Sequence, residues 1–421
     1  MPRPSKAPKE VTPFDRIAKW LDGSRTRMMD LMAELTKRNA VGPANGGPGE
    51  AEKADFLESY LAAEGFPAAT RLTAMCDGVA RPNLLVRLPG RDRSRCLWVM
   101  THLDVVPPGN LSEWKSDPFA LRVEGEKLVG RGVEDNHQGL VGSVFAARAL
   151  LELGIEPATD VGLLFVADEE TGSEYGIRWL LAQHPTLFSA GDVFLVPDAG
   201  NEDGSLVEVA EKAILWLKFR TVGRQVHAST PQLGVNAFVA ASHLVVRLRD
   251  LYQRFEQRNP IFDPPMSTFE PTRKERNVEN INTVPGEDLF FMDCRILPEV
   301  SVEEVLQAIR TLCDEVARSQ RVVVHFDTVQ REDAAPPTPA DAPLVQQVIH
   351  AVQKVYRVHA RPRGIGGGTV ASALRHHGFP AVVWSRMDET GHQPNEYIWL
   401  SNLVDDAKVF ALVMMGADAS K

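Results

Sequence analysis

The chain has 421 residues, 44% of them hydrophobic and 24% charged, with 56 acidic against 46 basic side chains and a formal net charge of -10. That length exceeds one ordinary hydrophobic core and implies two domains, while an acidic balance with scattered Lys and Arg excludes the basic footprint of a nucleic-acid binder. Cys76, Cys96, Cys294 and Cys313 are far apart with no CxxC pair, which excludes a cysteine zinc site or a disulfide framework and points to buried thiols in a reducing compartment. The basic segment Met1-Pro2-Arg3-Pro4-Ser5-Lys6 is not followed by an apolar run, and no apolar stretch reaches membrane-spanning length, so the expected location is cytoplasmic with no membrane partner.

In chain order, residues 13–64 read as helical, interrupted by a Gly/Pro loop at 44–49. Short Val/Leu-rich runs at 97–100, 161–166, 193–196 and 381–384 read as strands buried on both faces, as in a parallel sheet covered by helices. Residues 140–153 predict a helix stopped by Gly154. The pattern changes at Ala213. A strand (214–221), a long amphipathic helix (236–255), strands around 280–283 and 289–296, a helix (302–318) and a strand (321–329) follow in β-α-β-β-α-β order, that of an inserted ferredoxin-like domain. A Pro/Ala-rich stretch at 334–343 returns the chain to a helix (342–356), a glycine-rich turn (364–368), another helix and the 381 strand. The expected division is 1–212 and 331–421 for a discontinuous α/β domain with a mostly parallel central sheet, and 213–330 for the insertion.

Each of the four buried runs leads into side chains that bind metals or move protons. His102 and Asp104 are two apart and share a face of an extended strand end, which suits a metal-ligating imidazole oriented by a carboxylate. Asp135 stands in a glycine-flanked loop, Gly130-Arg131-Gly132-Val133-Glu134-Asp135. Glu169 and Glu170 are adjacent, so their side chains diverge and one can hold a metal while the other handles protons. Asp198 follows a buried strand, and His392 lies in Gly391-His392-Gln393-Pro394-Asn395-Glu396. Taken singly, these residues read as a solvated strand end, a helix N-cap, a charge run and a structural histidine. Together they fall at the carboxyl ends of strands in one sheet, where open α/β folds bind ligands, and they form a site for one or two divalent metals, zinc first. The glycine turn 364–368 leads into Thr369 with no following Lys, which excludes a P-loop; its N–H groups suit a carboxylate instead. The remaining histidines, His137 among them, have no motif context and read as surface or structural.

His102-x-Asp104, Gly130-Arg131-Gly132-x-x-Asp135, Glu169-Glu170, Pro197-Asp198 and 391–396 together resemble the zinc aminoacylase and dipeptidase metallopeptidases, a family that includes acetylornithine deacetylase, succinyl-diaminopimelate desuccinylase, carboxypeptidases and small dipeptidases. The resemblance runs from about Asp22 to the end. It implies a zinc-peptidase-like catalytic domain, with 213–330 as a lid and dimerisation domain. Asp135 would bridge two cations about 3.5–4 Å apart, with His102 and Asp198 completing one site and Glu170 and His392 the other; zinc is expected, cobalt or manganese being alternatives. Asp104 would orient His102 and Glu169 would be the general base. His227 resembles a histidine that reaches into the partner subunit's site to stabilise the oxyanion, which implies a homodimer, and Asn282 resembles a lid asparagine near the substrate. Gly367, Gly368 and Thr369 would meet the substrate. The family often carries an arginine shortly after this turn; Ser372 stands here, so the anchor for a substrate carboxylate falls to Arg375, to Arg295 or Arg273 from the lid, or to nothing.

The expected reaction is cleavage of the amide bond of an N-acyl amino acid, with a dipeptidase or carboxypeptidase as the nearer alternative, towards which the triple-glycine-Thr turn leans. A non-catalytic binder of amino-acid derivatives would have no use for Glu169. A structural metal site would favour closed Cys and His ligand sets.

Overall fold

The computed structural model describes residues 11–416; the basic Met1–Lys6 segment lies outside the described residues. The chain divides into two compact units. One contains the chain up to Val209, Thr338–Pro362 and the chain from Ala373 onward; the other contains Ala210–Pro337 and Arg363–Ser372. The glycine turn, expected with the returning α/β domain, therefore clusters with the inserted unit.

An eight-stranded mixed sheet runs in the order Thr70–Cys76, Val79–Leu88, Thr159–Val166, Asp92–His102, Val193–Asn201, Ala381–Arg386, Leu206–Glu211, Arg361–Ile365, its first six strands lying wholly in the α/β unit. Its four middle strands, which contain the four Val/Leu-rich runs, pair in parallel. Antiparallel partners flank them, Val79–Leu88 on one side and Leu206–Glu211 on the other. Core packing at the centre is tight: a Cβ at Gly162 would lie 2.1 Å from the ring of Trp98, so the indole occupies the space that any larger residue would need. Helix Gln138–Leu153 is buried along most of its length. It ends at Gly154, whose φ of 62° is easily adopted without a Cβ and lets its N–H bond the carbonyls of Leu150 and Leu151.

Two irregularities set up the site. The ladder between Val193–Asn201 and Ala381–Arg386 pairs Val383 with Val196 and then Ser385 with Gly200, so Pro197, Asp198 and Ala199 bulge out of register; bulges of this kind re-aim side chains. Residues Val133–His137 form a single wide turn between Gly132 (φ 83°) and helix Gln138–Leu153, with Asp135 and Asn136 in non-helical conformations. Among the described residues, no helix is long and apolar enough to cross a membrane, and all four cysteines are free thiols.

The inserted unit holds a four-stranded antiparallel sheet ordered Thr268–Lys274, Glu287–Ile296, Ala213–Val222, Val323–Glu332, with helices Ala237–Leu248, Leu251–Arg254 and Val302–Gln320. This is the ferredoxin-like order. Strand Glu287–Ile296 alternates half-buried and buried residues along its whole length, as a strand with one face on a core must, and Phe219 stacks on Phe290 with centroids 4.7 Å apart. The second strand lies at Thr268–Lys274 rather than around 280–283. Its alternation is broken at Pro271, next to a register shift, which an edge strand tolerates, whereas Thr283–Val284 makes only a two-residue ladder with Val226–His227. The long helix expected at 236–255 is two, interrupted at Arg249 and Asp250.

Candidate metal centre

His102 ends its strand 2% exposed. Its Nδ1 donates to the backbone carbonyl of Asp104 at 3.0 Å, which turns Nε2 towards Oδ1 of Asp135 (2.8 Å) and Oδ1 of Asp198 (3.4 Å). From the other side, Nε2 of His392 lies 3.0 Å from Oδ2 of Asp135 and 3.0 Å from Oε2 of Glu170. The two carboxylate oxygens of Asp135 thus face different histidines, and the donors form two groups, His102-Asp135-Asp198 and Asp135-Glu170-His392, within each of which all donor atoms lie within 4.8 Å of one another. All belong to the α/β unit.

The electrostatics of these groups call for a cation. Burial raises the carboxyls of Glu169 and Glu170, chiefly with Asp198 pushing on the first and Asp135 on the second. Burial opposes the charged form of His102, yet Asp198, then Asp104 and Asp135, outweigh it and lift the imidazole well above its ordinary value. Hydrogen bonds to Asp135 and Glu170 push His392 up to about 10. Against its own burial, Asp135 is held below the usual carboxylate range by the same two histidines. Glu170 Oε1 is also buried without a hydrogen-bond partner, which is costly for an anionic oxygen. Three carboxylates and two imidazoles of mixed N and O character suit zinc, cobalt or manganese.

The Asp104 carboxylate lies beside His102, with Oδ1 3.6 Å from Nδ1, an ion-pair rather than a hydrogen-bond distance. The carboxylate instead accepts the backbone N–H groups of Glu169 and Glu170, both at 3.0 Å, and so anchors the turn Glu169–Thr171 that carries both residues. Asp168, at φ 66°, extends that anchorage by accepting from Arg81 and from the N–H of Tyr175.

Two glutamates not singled out from the sequence hold the ligand loops. Glu396, fully buried, accepts the N–H groups of Gly132, Glu134 and Asp135 and pairs with Arg131 at 2.7 Å. Reciprocally, Glu134 accepts the N–H groups of Asp388, Thr390 and Gly391. Each glutamate thus fixes the backbone of the loop that carries the other one's neighbouring candidate ligand, Asp135 or His392. Asn136 donates to Pro197 O at 2.8 Å and to Asp198 Oδ1. Both glutamates lie inside the recognised motifs, and the available signal was an acidic residue one position before Asp135 and another four positions after His392.

Arg375 is not the substrate anchor. It is 3% exposed, and its guanidinium pairs bidentately with Glu208 at 2.8 Å and donates to Ala381 O. Nor are the N–H and hydroxyl of Thr369 open to a substrate carboxylate, since both bond Glu211 Oε1; the helix after the turn, Ala371–His376, starts beyond Thr369. Gly367 has open space where a Cβ would stand, and Gly368 faces Ile214 and Glu332. Arg295 is held by Asp293 and donates to Gly366 O. In the inserted unit, His227 is exposed and its Nδ1 accepts the N–H of Ser229, which places the ring proton on Nε2. Asn282 accepts the N–H of Ala228 through its backbone carbonyl and Asn280 Nδ2 through its side chain.

Residues 98–416 match the model of Peptidase family M20/M25/M40, and the chain belongs to that family. It is a metallohydrolase. An uncharacterized metallohydrolase of Methanococcus maripaludis is 37% identical over 403 residues, covering 91% of this chain and 97% of that one. A succinyl-diaminopimelate desuccinylase of Dinoroseobacter shibae is 26% identical over 391 residues, again covering 91% and 97%. Among solved structures, the aminopeptidase PepT of Bacillus cereus superposes with a TM-score of 0.73 at 18% identity over 94% of this chain and 99% of that one, a likeness of fold.

Proposed function

We propose that this chain hydrolyses the amide bond of an N-acyl amino acid with two divalent cations, zinc by preference, held by His102, Asp135 and Asp198 and by Asp135, Glu170 and His392. The observation that carries the reading is Asp135, whose two oxygens face two separate histidines with a further carboxylate on each side. Such a pair of cations polarises a substrate carbonyl and acidifies water. Glu169 sits among Asp135, Asp198 and Glu170, in a site where burial and these charges raise its affinity for a proton. It takes the proton of the attacking water and returns it to the leaving nitrogen, and the products are a carboxylate and a free amine. Asp104 holds Glu169 for that task through its backbone. His227, exposed and with its ring proton on Nε2, would donate to the developing oxyanion from the inserted unit of a second copy, so that the active form is a homodimer.

The acyl substrate is supported by the desuccinylase relative; short peptides are the alternative, and the likeness to an aminopeptidase fold does not choose between them. A cytoplasmic location accords with four free thiols. Amine release from a panel of N-acetyl and N-succinyl amino acids and free dipeptides, with chelated protein and added zinc, cobalt or manganese, decides the substrate. Glu169→Gln is expected to lower kcat by about 10²–10⁴-fold while metal stoichiometry stays at the wild-type value. Retained turnover would remove Glu169 as the base, and lost metal would make it a ligand.

A further inference from the structure

Lys53 lies on helix Ala51–Ala63 and is 1% exposed. Its Nζ stands 2.8 Å from Nε2 of His137, itself 1% exposed, and Nδ1 of that ring is 3.5 Å from the hydroxyl of buried Thr36. An ammonium can only donate, so Nε2 is the acceptor, and the ring carries its proton on Nδ1, towards Thr36. Burial pulls the Lys53 ammonium down to about 7, and the charged groups that oppose this and favour the ammonium are Asp104, Glu50 and Glu396. Asp104 and Glu396 are the carboxylates that hold the backbones of Glu169, Glu170 and Asp135.

His137 closes the wide turn Val133–His137, and its N–H bonds the carbonyl of Gly132 at the turn's start. Its ring fills the space beside Gly132, where a Cβ would come within 3.0 Å of Cε1. The ring's orientation therefore bears on the turn that presents Asp135.

We propose that Lys53 is a positioning residue of the metal centre: its ammonium, through His137, locks the turn that presents Asp135 to both ligand groups. A buried lysine is expensive to keep without such a task, since replacing a buried charge by an apolar side chain of similar volume is often neutral or stabilising. That cost is offset in part by the attraction of the same ammonium to Asp104, Glu50 and Glu396.

The inference rests on the proposed metal reading, and its test separates the two. Lys53→Met keeps the volume and removes the charge. With cobalt as the probe, wild-type protein is expected to take up two equivalents with a visible ligand-field spectrum; if it takes up none, the metal reading fails. Given wild-type binding, Lys53→Met is expected to weaken cobalt binding by about 10–100-fold, change the cobalt spectrum, and lower kcat with little change in KM. Lys53→Arg is expected to restore part of the affinity. Nitrogen-15 spectra of labelled histidine, recorded on chelated protein, should show His137 as the Nδ1–H tautomer in wild type and a shifted tautomer balance in the variant. A Met variant with wild-type cobalt affinity, spectrum and His137 tautomer overturns the proposal. Should Lys53→Met fail to fold, Thr36→Val removes only the hydroxyl at the other end of the chain. Weaker cobalt binding with a changed tautomer is then the supporting result, and unchanged values refute it. Lys53→Met combined with His137→Gln should lose no more affinity than His137→Gln alone; additive losses would show that Lys53 does not act through the ring.

Discussion

Replacing Glu396 by Gln tests the clasp between the two ligand loops. In the structure Oε1 accepts from the N–H groups of Glu134 (2.8 Å) and Asp135 (3.1 Å), and Oε2 accepts from Gly132 N–H (2.9 Å) and Arg131 (2.7 Å). A glutamine amide has one acceptor oxygen, so whichever way it is placed its NH2 group faces two donors. Each buried donor left unsatisfied costs about 1–3 kcal/mol. Arg131, 1% exposed and with Nε and Nη2 already unpartnered, loses its counter-charge, and breaking a buried pair in this way costs about 3–5 kcal/mol. These contributions overlap, and their joint effect is about 4–6 kcal/mol, a large share of the roughly 5–15 kcal/mol that keeps a protein folded. At a urea dependence of about 3 kcal/mol per molar, the unfolding midpoint of chelated protein should fall by about 1.5 M, read by circular dichroism. Metal stoichiometry should fall as well, because the Asp135 backbone is released. A midpoint shift below about 0.3 M with full metal content would refute the assignment of Glu396 as the anchor of that turn.

Metal uptake should release protons. In chelated protein the imidazole of His392 is raised to about 10, so at pH 7 it holds a proton that a cation must displace; about one should appear per loaded centre from this residue, measured with an indicator in weak buffer, and release of less than about half a proton would contradict His392 as a ligand. The sign for stability follows from the same shift. A raised histidine stabilises the chelated fold fully below its unfolded value near 6.5 and loses that contribution as pH rises towards 10. The melting-temperature advantage of chelated wild type over His392→Gln should therefore shrink between pH 7 and pH 10. Arg375→Met should destabilise by about 3–5 kcal/mol through loss of the buried bidentate pair with Glu208, whereas the milder Arg375→Lys should leave KM at the wild-type value; a tenfold rise in KM with intact folding would return Arg375 to the substrate. Gly132→Ala, forced into φ 83° with its Cβ 2.5 Å from Val105 Cγ1, should cost more than about 2 kcal/mol and reduce metal content, as thermal melts and metal analysis would report.

Much of the donor set was legible from local pattern. A buried parallel strand announces itself as a short unbroken run of Val and Leu, and the residues just after it stand at the sheet edge where ligands bind, so His102, Glu169, Glu170, Asp198 and His392 could be placed from the chain alone. The ferredoxin-like insertion was legible for the same reason, as alternation of period two and helices of period 3.6 are written in neighbouring residues. Its second strand was missed because Pro271 breaks the alternation on an edge strand, where the lost N–H needs no partner. What only the tertiary structure decided is where the buried charges find their complements. Whether Arg375 meets a substrate or Glu208 depends on residues 167 positions apart. Glu134 and Glu396 clasp loops about 260 residues from each other, and Lys53 reaches His137 across 84. Local sequence carries no record of such pairings, because the energy of a buried charge is set by the few groups that exclude water around it, and the fold brings those together from distant parts of the chain.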